Sequence, residues 1–387
     1  MNKQPKLLNE DEVMRQKLEK CIHATFGRFI CYVRTISPLS HEEMQELSSI
    51  TSGTAWRMEK SRNYKILSYA QAFYVHLRAL KCEFHIQNLR RATTQALEEG
   101  KNLLLTPGIY DLEEPIVVNR PDTIVLGMGL ATLRAAKGNV CLETGDVQGL
   151  ILAGLLFDAG ETKSDNLLVV GSEDQKSEDN GKNIYLSDLF FRVGGTDTDT
   201  PVSVKCCATI NSSHVVGDNF WVWRADHGDN VAWEENKAEN GIIINGDEVT
   251  MYALMVEHFE QYQTVWNGDH GKVYMYQSEI PYDVPTQEVW MSHEGQKKGY
   301  ASFYVDGAVD AFEAWGLGVY LYNRDASVEL DTAMEVPDKN GVKVHNICTV
   351  MLTGYPGMNH IINESGDSVT FAGERKVICE YENGLIR

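Results

Sequence analysis

The sequence predicts an all-β protein, a parallel β-helix over residues 100–387 preceded by an α-helical region over residues 1–99, and three observations predict it. The hydrophobic pattern changes at Gly100 from helical spacing to short β-branched and aromatic runs punctuated by Gly, Asn and Asp. Comparable runs begin near Val125, Leu152, Leu186, Val216 and Met251, in steps of 27, 34, 30 and 35 residues, within the range of repeat architectures. Many runs are apolar without strict alternation, as strands inside a solenoid can be, and a helix stands just before the first strand, where it can cover an open end. A sandwich or a propeller is the competing all-β architecture.

Taken in order, Val13, Leu18, Cys21, Ile22, Phe26, Phe29, Ile30 and Val33 mark the stripe of a first helix. A second helical pattern runs through "YKILSYAQAFYVHLRALK". A third, "LRRATTQALEEG", ends at Gly100, where a left-handed C-terminal cap is common. The strand segments "KNLLLTPGIYDL", "TIVLGMG", "GLILAGLLFDAG", "NIYLSDLFFRVGG", "NGIIINGDEVTMYALMVEH" and "KVYMYQSEI" follow.

With 35 basic against 55 acidic side chains, the formal charge of −20 repels phosphate backbones and anionic lipid headgroups, so neither nucleic acid nor membrane is an expected partner. No run of eighteen or more apolar residues marks a transmembrane helix, and the N-terminus has no apolar core of a secretory signal, which makes the chain as written look cytoplasmic. The eight cysteines form no C-x-x-C pair and read as mostly buried thiols.

The segment "VEHFEQYQTVWNGDHGKVYMYQSEIPYD" sets Glu257 and Glu279, 22 positions apart, each after an apolar or aromatic strand. In a parallel β-helix, equivalent residues on successive coils stack about 4.8 Å apart, so the two glutamates are expected on neighbouring rungs of one face. One coil earlier, "DNFWVWRADHGD" places Trp223 in a similar relation to its strand, and Tyr282 lies just beyond Glu279. Aromatic faces beside carboxylates suit a sugar, whose ring stacks on an aromatic and whose hydroxyls bond to acids. Two carboxyls also meet the needs of glycoside hydrolysis, one protonated to protonate the leaving oxygen, the other ionised to activate water or attack. Burial and a neighbouring carboxylate would raise one pKa to serve as that acid.

The ordered series "LLLTPGIYDLEEPIVVNRPDTIVLGMGLATL", "ILAGLLFDAG", "NFWVWRADHGD", "YALMVEHFEQYQTVWNGDHGKVYMYQSEIPYDVP", "EAWGLGVY" and "MEVPDKNGVKVHN" resembles bacterial glycoside hydrolase family 55, the laminarinase-type exo-β-1,3-glucanases, from Gly100 to the C-terminus. The resemblance implies a right-handed, pectin-lyase-like β-helix that cleaves β-1,3-glucan with inversion from the non-reducing end, releasing glucose, with no metal or organic cofactor. It implies that Glu279 is the general acid and that Glu257 polarises the attacking water. Contacts to the terminal sugar fall on Trp223, Tyr282 and Asp226. It also implies secretion, and a further β-helix domain ahead of this one whose glutamine and serine side chains help hold the water. The first hundred residues are too few for that domain, so a partner supplying it, or an inactive chain that only binds glucan, is the alternative expectation. A lyase or pectinase on the same kind of solenoid would need basic residues for a uronate, and Arg and Lys are sparse near the motif.

Three further signals are set aside. "GMGL" reads as a tight solenoid turn rather than a dinucleotide loop. His258, His270 and His293 lack metal-ligand spacing and read as structural or groove-lining. "NSS" at Asn211 and "NES" at Asn363 have the form of glycosylation acceptors.

Overall fold

The computed structural model describes residues 89–172, 181–196 and 200–387, so the helical expectation for residues 1–88 lies outside the described residues. The last expected helix is present over Leu89–Glu98. It ends as its sequence requires: Gly100 adopts φ +85°, its N–H donates to the Leu97 carbonyl (3.0 Å) and that of Lys101 to the Ala96 carbonyl (2.9 Å), which together close a Schellman cap. Leu97 joins the apolar core.

Leu103–Leu105 and Ile109–Leu112 both pair with Ile124–Ala135, and from Ile116 to Ile362 successive strands alternate between two sheets, apart from the short antiparallel pair Met291–Ser292 and Lys297–Lys298. One holds Ile124–Ala135, Ile151–Asp158, Ile184–Val193, Val215–Arg224, Thr250–Glu257, Gly271–Glu279, Ala311–Leu321 and Gly341–Met351 side by side. The other runs from Ile116–Val118 through Leu142–Thr144, Ser164–Val170, Val204–Ile210, Ala238–Ile244, Thr264–Trp266, Phe303–Val305 and Leu330–Glu335 to Met358–Ile362. All these neighbours pair in parallel, so each coil contributes one strand to each sheet and the chain winds as a parallel β-helix. Arg375–Glu382 then pairs antiparallel with Gly341–Met351 and ends the parallel series. The repeat begins where expected at Val125, Leu152, Leu186 and Met251, but the aligned residue of the fourth coil is Gly217, one past Val216.

The interrupted alternation has a specific cause. Midway along each long strand after Ile124–Ala135 in the parallel series, one residue adopts a left-handed backbone: Gly154, Asp188, Asn219, Ala253, Met275, Gly316 and Asn346, with φ between 51° and 69°. The registers skip these residues on adjacent strands, so they stack as one column and form a continuous corner. Each corner breaks the pleat, and two successive side chains point outward: Met251, Leu254 and Val256 are buried, whereas Tyr252 and Ala253 are not. Gly, Asn and Asp tolerate this conformation, and Asn219 Nδ2 also donates to Asp188 Oδ1 (2.6 Å). Ala253 and Met275 hold it against a cost of about 1–2 kcal/mol each.

Inside the coils the side chains stack in files such as Phe157, Phe191 and Phe220, with centroids 4.9 and 6.2 Å apart. Each such ring buries apolar surface worth about 1.5–3 kcal/mol. "GMGL" corrects the expectation of a turn: Gly127–Leu130 lies within the Ile124–Ala135 strand, as a bulge where the register to the next strand shifts between Leu126 and Ala131. The backbones approach so closely there that a Cβ on Gly127 would lie 2.2 Å from the Gly154 carbonyl oxygen. Cys141, Cys206 and Cys207 are buried thiols as expected, but Cys379 is exposed.

Candidate active site

The fourth residue after each left-handed corner points outward, and these residues form a second column on the adjoining face. Register places Asp111, Arg134, Asp158, Arg192, Trp223, Glu257, Glu279 and Tyr320 on consecutive rungs of it. Glu257 and Glu279 are therefore direct neighbours, with Trp223 one rung before and Tyr320 one rung after. Their backbones are separated, along the hydrogen-bonding direction across the strands, by an ordinary strand spacing of about 4.8 Å.

The residues two positions earlier on the same face flank this column. Trp221 Nε1 donates to Glu257 Oε2 (2.8 Å), and its ring stacks on Trp223 with centroids 5.3 Å apart. Gln277 Nε2 reaches Glu279 Oε1 at a longer 3.4 Å. No Arg or Lys approaches either glutamate within ion-pairing distance among the described residues.

Loops leaving the ends of these strands close one side of the site. Asp226 accepts from His227 Nδ1 (2.8 Å) and lies 3.9 Å from His258 Nε2. The His258 ring packs against Tyr282 (4.4 Å between centroids), which packs edge-on against Tyr322 (4.9 Å). His227 also lies over Trp223 at 5.2 Å. One chain of contacts thus runs from Trp223 through His227, Asp226 and His258 to Tyr282.

Arg224 holds these loops together. It is only 1% exposed and gives both terminal nitrogens to Asp283 (2.9 and 2.8 Å). The same guanidinium donates to the carbonyls of Asn236 (2.8 Å), His258 (3.1 Å) and Ala232 (3.2 Å), so the buried charge is fully hydrogen-bonded. The three segments carrying Asp226, His258 and Tyr282 are joined through one side chain.

Burial, then the neighbouring Glu257 and Asp226 charges, pushes Glu279 up to about 7. Burial also raises Glu257, with Asp226 adding to it, but the hydrogen bonds from Trp221 and Gln277 pull the other way. Burial alone would raise Asp226; His258 and His227 outweigh it and leave the carboxyl lowered. Burial holds the His258 imidazole neutral, down to about 4, against the pull of Asp226. The site therefore sets one carboxyl that keeps its proton near neutral pH beside one better equipped to ionise.

All five residues singled out from the sequence, Glu257, Glu279, Trp223, Asp226 and Tyr282, meet in this one region. Of the four tyrosines in the segment 256–283, only Tyr282 belongs to it. Tyr276 is buried in the coil interior, and Tyr274 stacks between Tyr252 and Trp315 on the other side of the corner. Sequence reasoning missed Trp221 and Gln277, although each lies two positions before a chosen residue and a strand period of two puts it on the same face. His270 and His293 are bound elsewhere, to Asp269 (3.3 Å) and Glu335 (2.8 Å). Asn211 is engaged in a turn ladder, accepting from Asn245 Nδ2 (2.8 Å), which in turn accepts from Asn267 (2.7 Å).

Against known proteins, the family model described as the LAM55 pectate lyase-like domain matches residues 86–279. An exo-beta-1,3-glucanase of Streptomyces sp. (strain SirexAA-E / ActE) is 40% identical over 273 residues, 70% of this chain and 44% of the relative. The structure of sacteLam55A from Streptomyces sp. SirexAA-E superposes with a TM-score of 0.72 at 37% identity, over 76% of this chain and 53% of that one. A variant of sacteLam55A in complex with glucose matches with the same TM-score and identity, over 76% of this chain and 52% of that one. The chain thus spans about half the length of the relatives it matches.

Proposed function

Since the chain belongs to the LAM55 pectate lyase-like family of laminarinase-type, family 55 glycoside hydrolases, we propose that it hydrolyses β-1,3-glucan from a chain end, releasing glucose with inversion at the anomeric carbon. The observation that carries this reading is the pair of unshielded carboxyls on adjacent rungs, one of them raised to about 7. Glu279 gives its proton to the glycosidic oxygen as the bond from that oxygen to the anomeric carbon breaks. Glu257 takes a proton from the water whose oxygen attacks that carbon from the opposite face, and one water is consumed per bond cleaved. Inverting sites separate the two carboxyls by about 6.5–9.5 Å, more than a strand spacing, so the side chains must splay to admit the water. Trp223 stacks on the terminal sugar, and Asp226 and Tyr282 bond to its hydroxyls. The relatives support the substrate class, one named an exo-beta-1,3-glucanase and another complexed with glucose.

The architecture fits the same reading. The coil is right-handed by the chirality that governs parallel crossovers. The division at residues 99 and 100 makes the Leu89–Glu98 helix a cap on the first coil, a role supported by the burial of Leu97 in the core.

Glucose release from laminarin tests the reading. The chain is expected to release it and Glu279→Gln to lose most of that rate; equal rates would remove Glu279 from the chemistry.

A second reading is favoured by the chain's spanning about half the length of its relatives. Here the β-helix binds glucan, and a separate β-helix domain supplies the remaining hold on the water. Misplacing that water by about 1 Å is enough to cost two orders of magnitude in rate. Laminarin binding without turnover, abolished by Trp223→Ala, would support this reading.

A further inference from the structure

The two carboxyls sit on equivalent positions of adjacent rungs, share one exposed face and carry the same charge when ionised, so their backbone settings do not distinguish them. Their hydrogen-bond donors do. Glu257 receives a short, 2.8 Å bond from the Trp221 indole, whereas Glu279 has only Gln277 at 3.4 Å. The indole is itself fixed by its stack on Trp223, so its N–H is aimed before any substrate arrives.

We propose that Trp221 is a positioning residue that assigns the two carboxyls their different jobs, by holding Glu257 as the ionised partner and leaving Glu279 to keep the proton. The inference rests on the hydrolase reading for its purpose, but its physical content is a property of the free protein. An N–H bonded to an ionised carboxylate favours the ionised form. Glu257 in that form then repels a second negative charge one rung away, which keeps the proton on Glu279. The bond also fixes the direction of one Glu257 oxygen and leaves the other for a water.

The charged and titratable groups facing Glu257 are Glu279 on the next rung and Asp226 from the loop after Trp223, with His227 and His258 bonded or close to Asp226. Arg192, two rungs away beyond Trp223, is committed to Asp158 through two 2.8 Å bonds. None of these charged or titratable neighbours donates a hydrogen bond to Glu257; the other donor acting on it is Gln277, on the next rung, whose 3.4 Å contact goes to Glu279, so the indole makes the short bond.

The test is Trp221→Phe, which keeps a ring to stack on Trp223 and removes the N–H, read by carbon-13 titration of glutamate-labelled protein without substrate. The lower of the two coupled carboxyl titrations is expected to rise by about one pH unit while the upper stays nearly fixed. If the chain turns over laminarin, the acid limb of its rate profile should rise with it, and kcat should fall more than KM changes. Benzothienylalanine at position 221, with sulfur in place of the N–H, gives the same readout in an isosteric ring if the phenyl variant does not fold. Unchanged titrations in a folded variant would overturn the inference whether or not the chain hydrolyses glucan. No turnover together with a shifted titration would leave the inference standing and defeat the hydrolase reading instead.

Discussion

One column of outward residues runs the length of the β-helix, and its two halves are built on opposite electrostatic plans. On the earlier rungs the charges alternate, Asp111, Arg134, Asp158, Arg192, and neighbours pair: Arg134 with Asp111 at 2.5 Å, Arg192 with both Asp158 oxygens at 2.8 Å. On the later rungs the same positions hold Trp223, Glu257, Glu279 and Tyr320, with two acids adjacent and, among the described residues, no cation paired to either. The parallel register is shared, and the two halves differ in the side chains they carry and in burial, Asp158 being only 5% exposed. A solenoid can satisfy a charge column at little cost by alternating sign. Where it instead partly buries two stacked acids, stability is given up, and burial first and the neighbouring charge second leave one carboxyl raised.

The comparison can be broken or sharpened by substitution. The largest effect is expected on the rate: Glu279→Gln should lower glucose release by on the order of 10²–10⁴, the range of a lost general acid. Next, Asp158→Asn on the paired half should destabilise the fold by about 2–3 kcal/mol in urea unfolding, since it leaves the half-buried Arg192 guanidinium without its two-point partner.

Glu279→Gln should have the opposite sign. The carboxyl is raised in the folded state, to about 7, so its stabilising contribution is whole below its unfolded pKa and is lost as pH rises through 7. The Gln variant should therefore be more stable than the parent at pH 8, by about 1–2 kcal/mol once partial exposure is allowed for, and no more stable at pH 4. If both substitutions destabilise at pH 8, the two halves of the column are not different in kind. The smallest effect falls on the corner: Ala253→Gly removes left-handed strain and should raise stability by about 0.5–1 kcal/mol, the gain being reduced by the freer unfolded chain.

How much of this was legible depended on how far apart in the chain the interacting groups lie. Glu257 and Glu279 were readable as neighbours because the coil between them, 22 residues, carries no inserted loop. Trp223 and Glu257 are equally adjacent in space but 34 residues apart, and only their similar placement after a strand joined them. The corner column was half visible: Gly154, Asn219, Gly316 and Asn346 are residue types that favour a left-handed backbone, whereas Ala253 and Met275 are not, and stacking imposes it on them. The Arg224–Asp283 pair spans 59 residues, and nothing local separates a buried ion pair from the many surface charges of an acidic chain. The Trp221 bond to Glu257 is diagonal between rungs, joining a residue to one two positions beyond its register partner Met255, and such a contact can be read only once the two coils are aligned residue by residue.

The most direct test of the account is the titration of the Glu279 carboxyl carbon in the parent and in Glu257→Gln. The account predicts a midpoint near 7 in the parent that moves down toward the ordinary carboxylate range when the neighbouring charge is removed. A midpoint already in that range, or one that Glu257→Gln leaves unmoved, would contradict it.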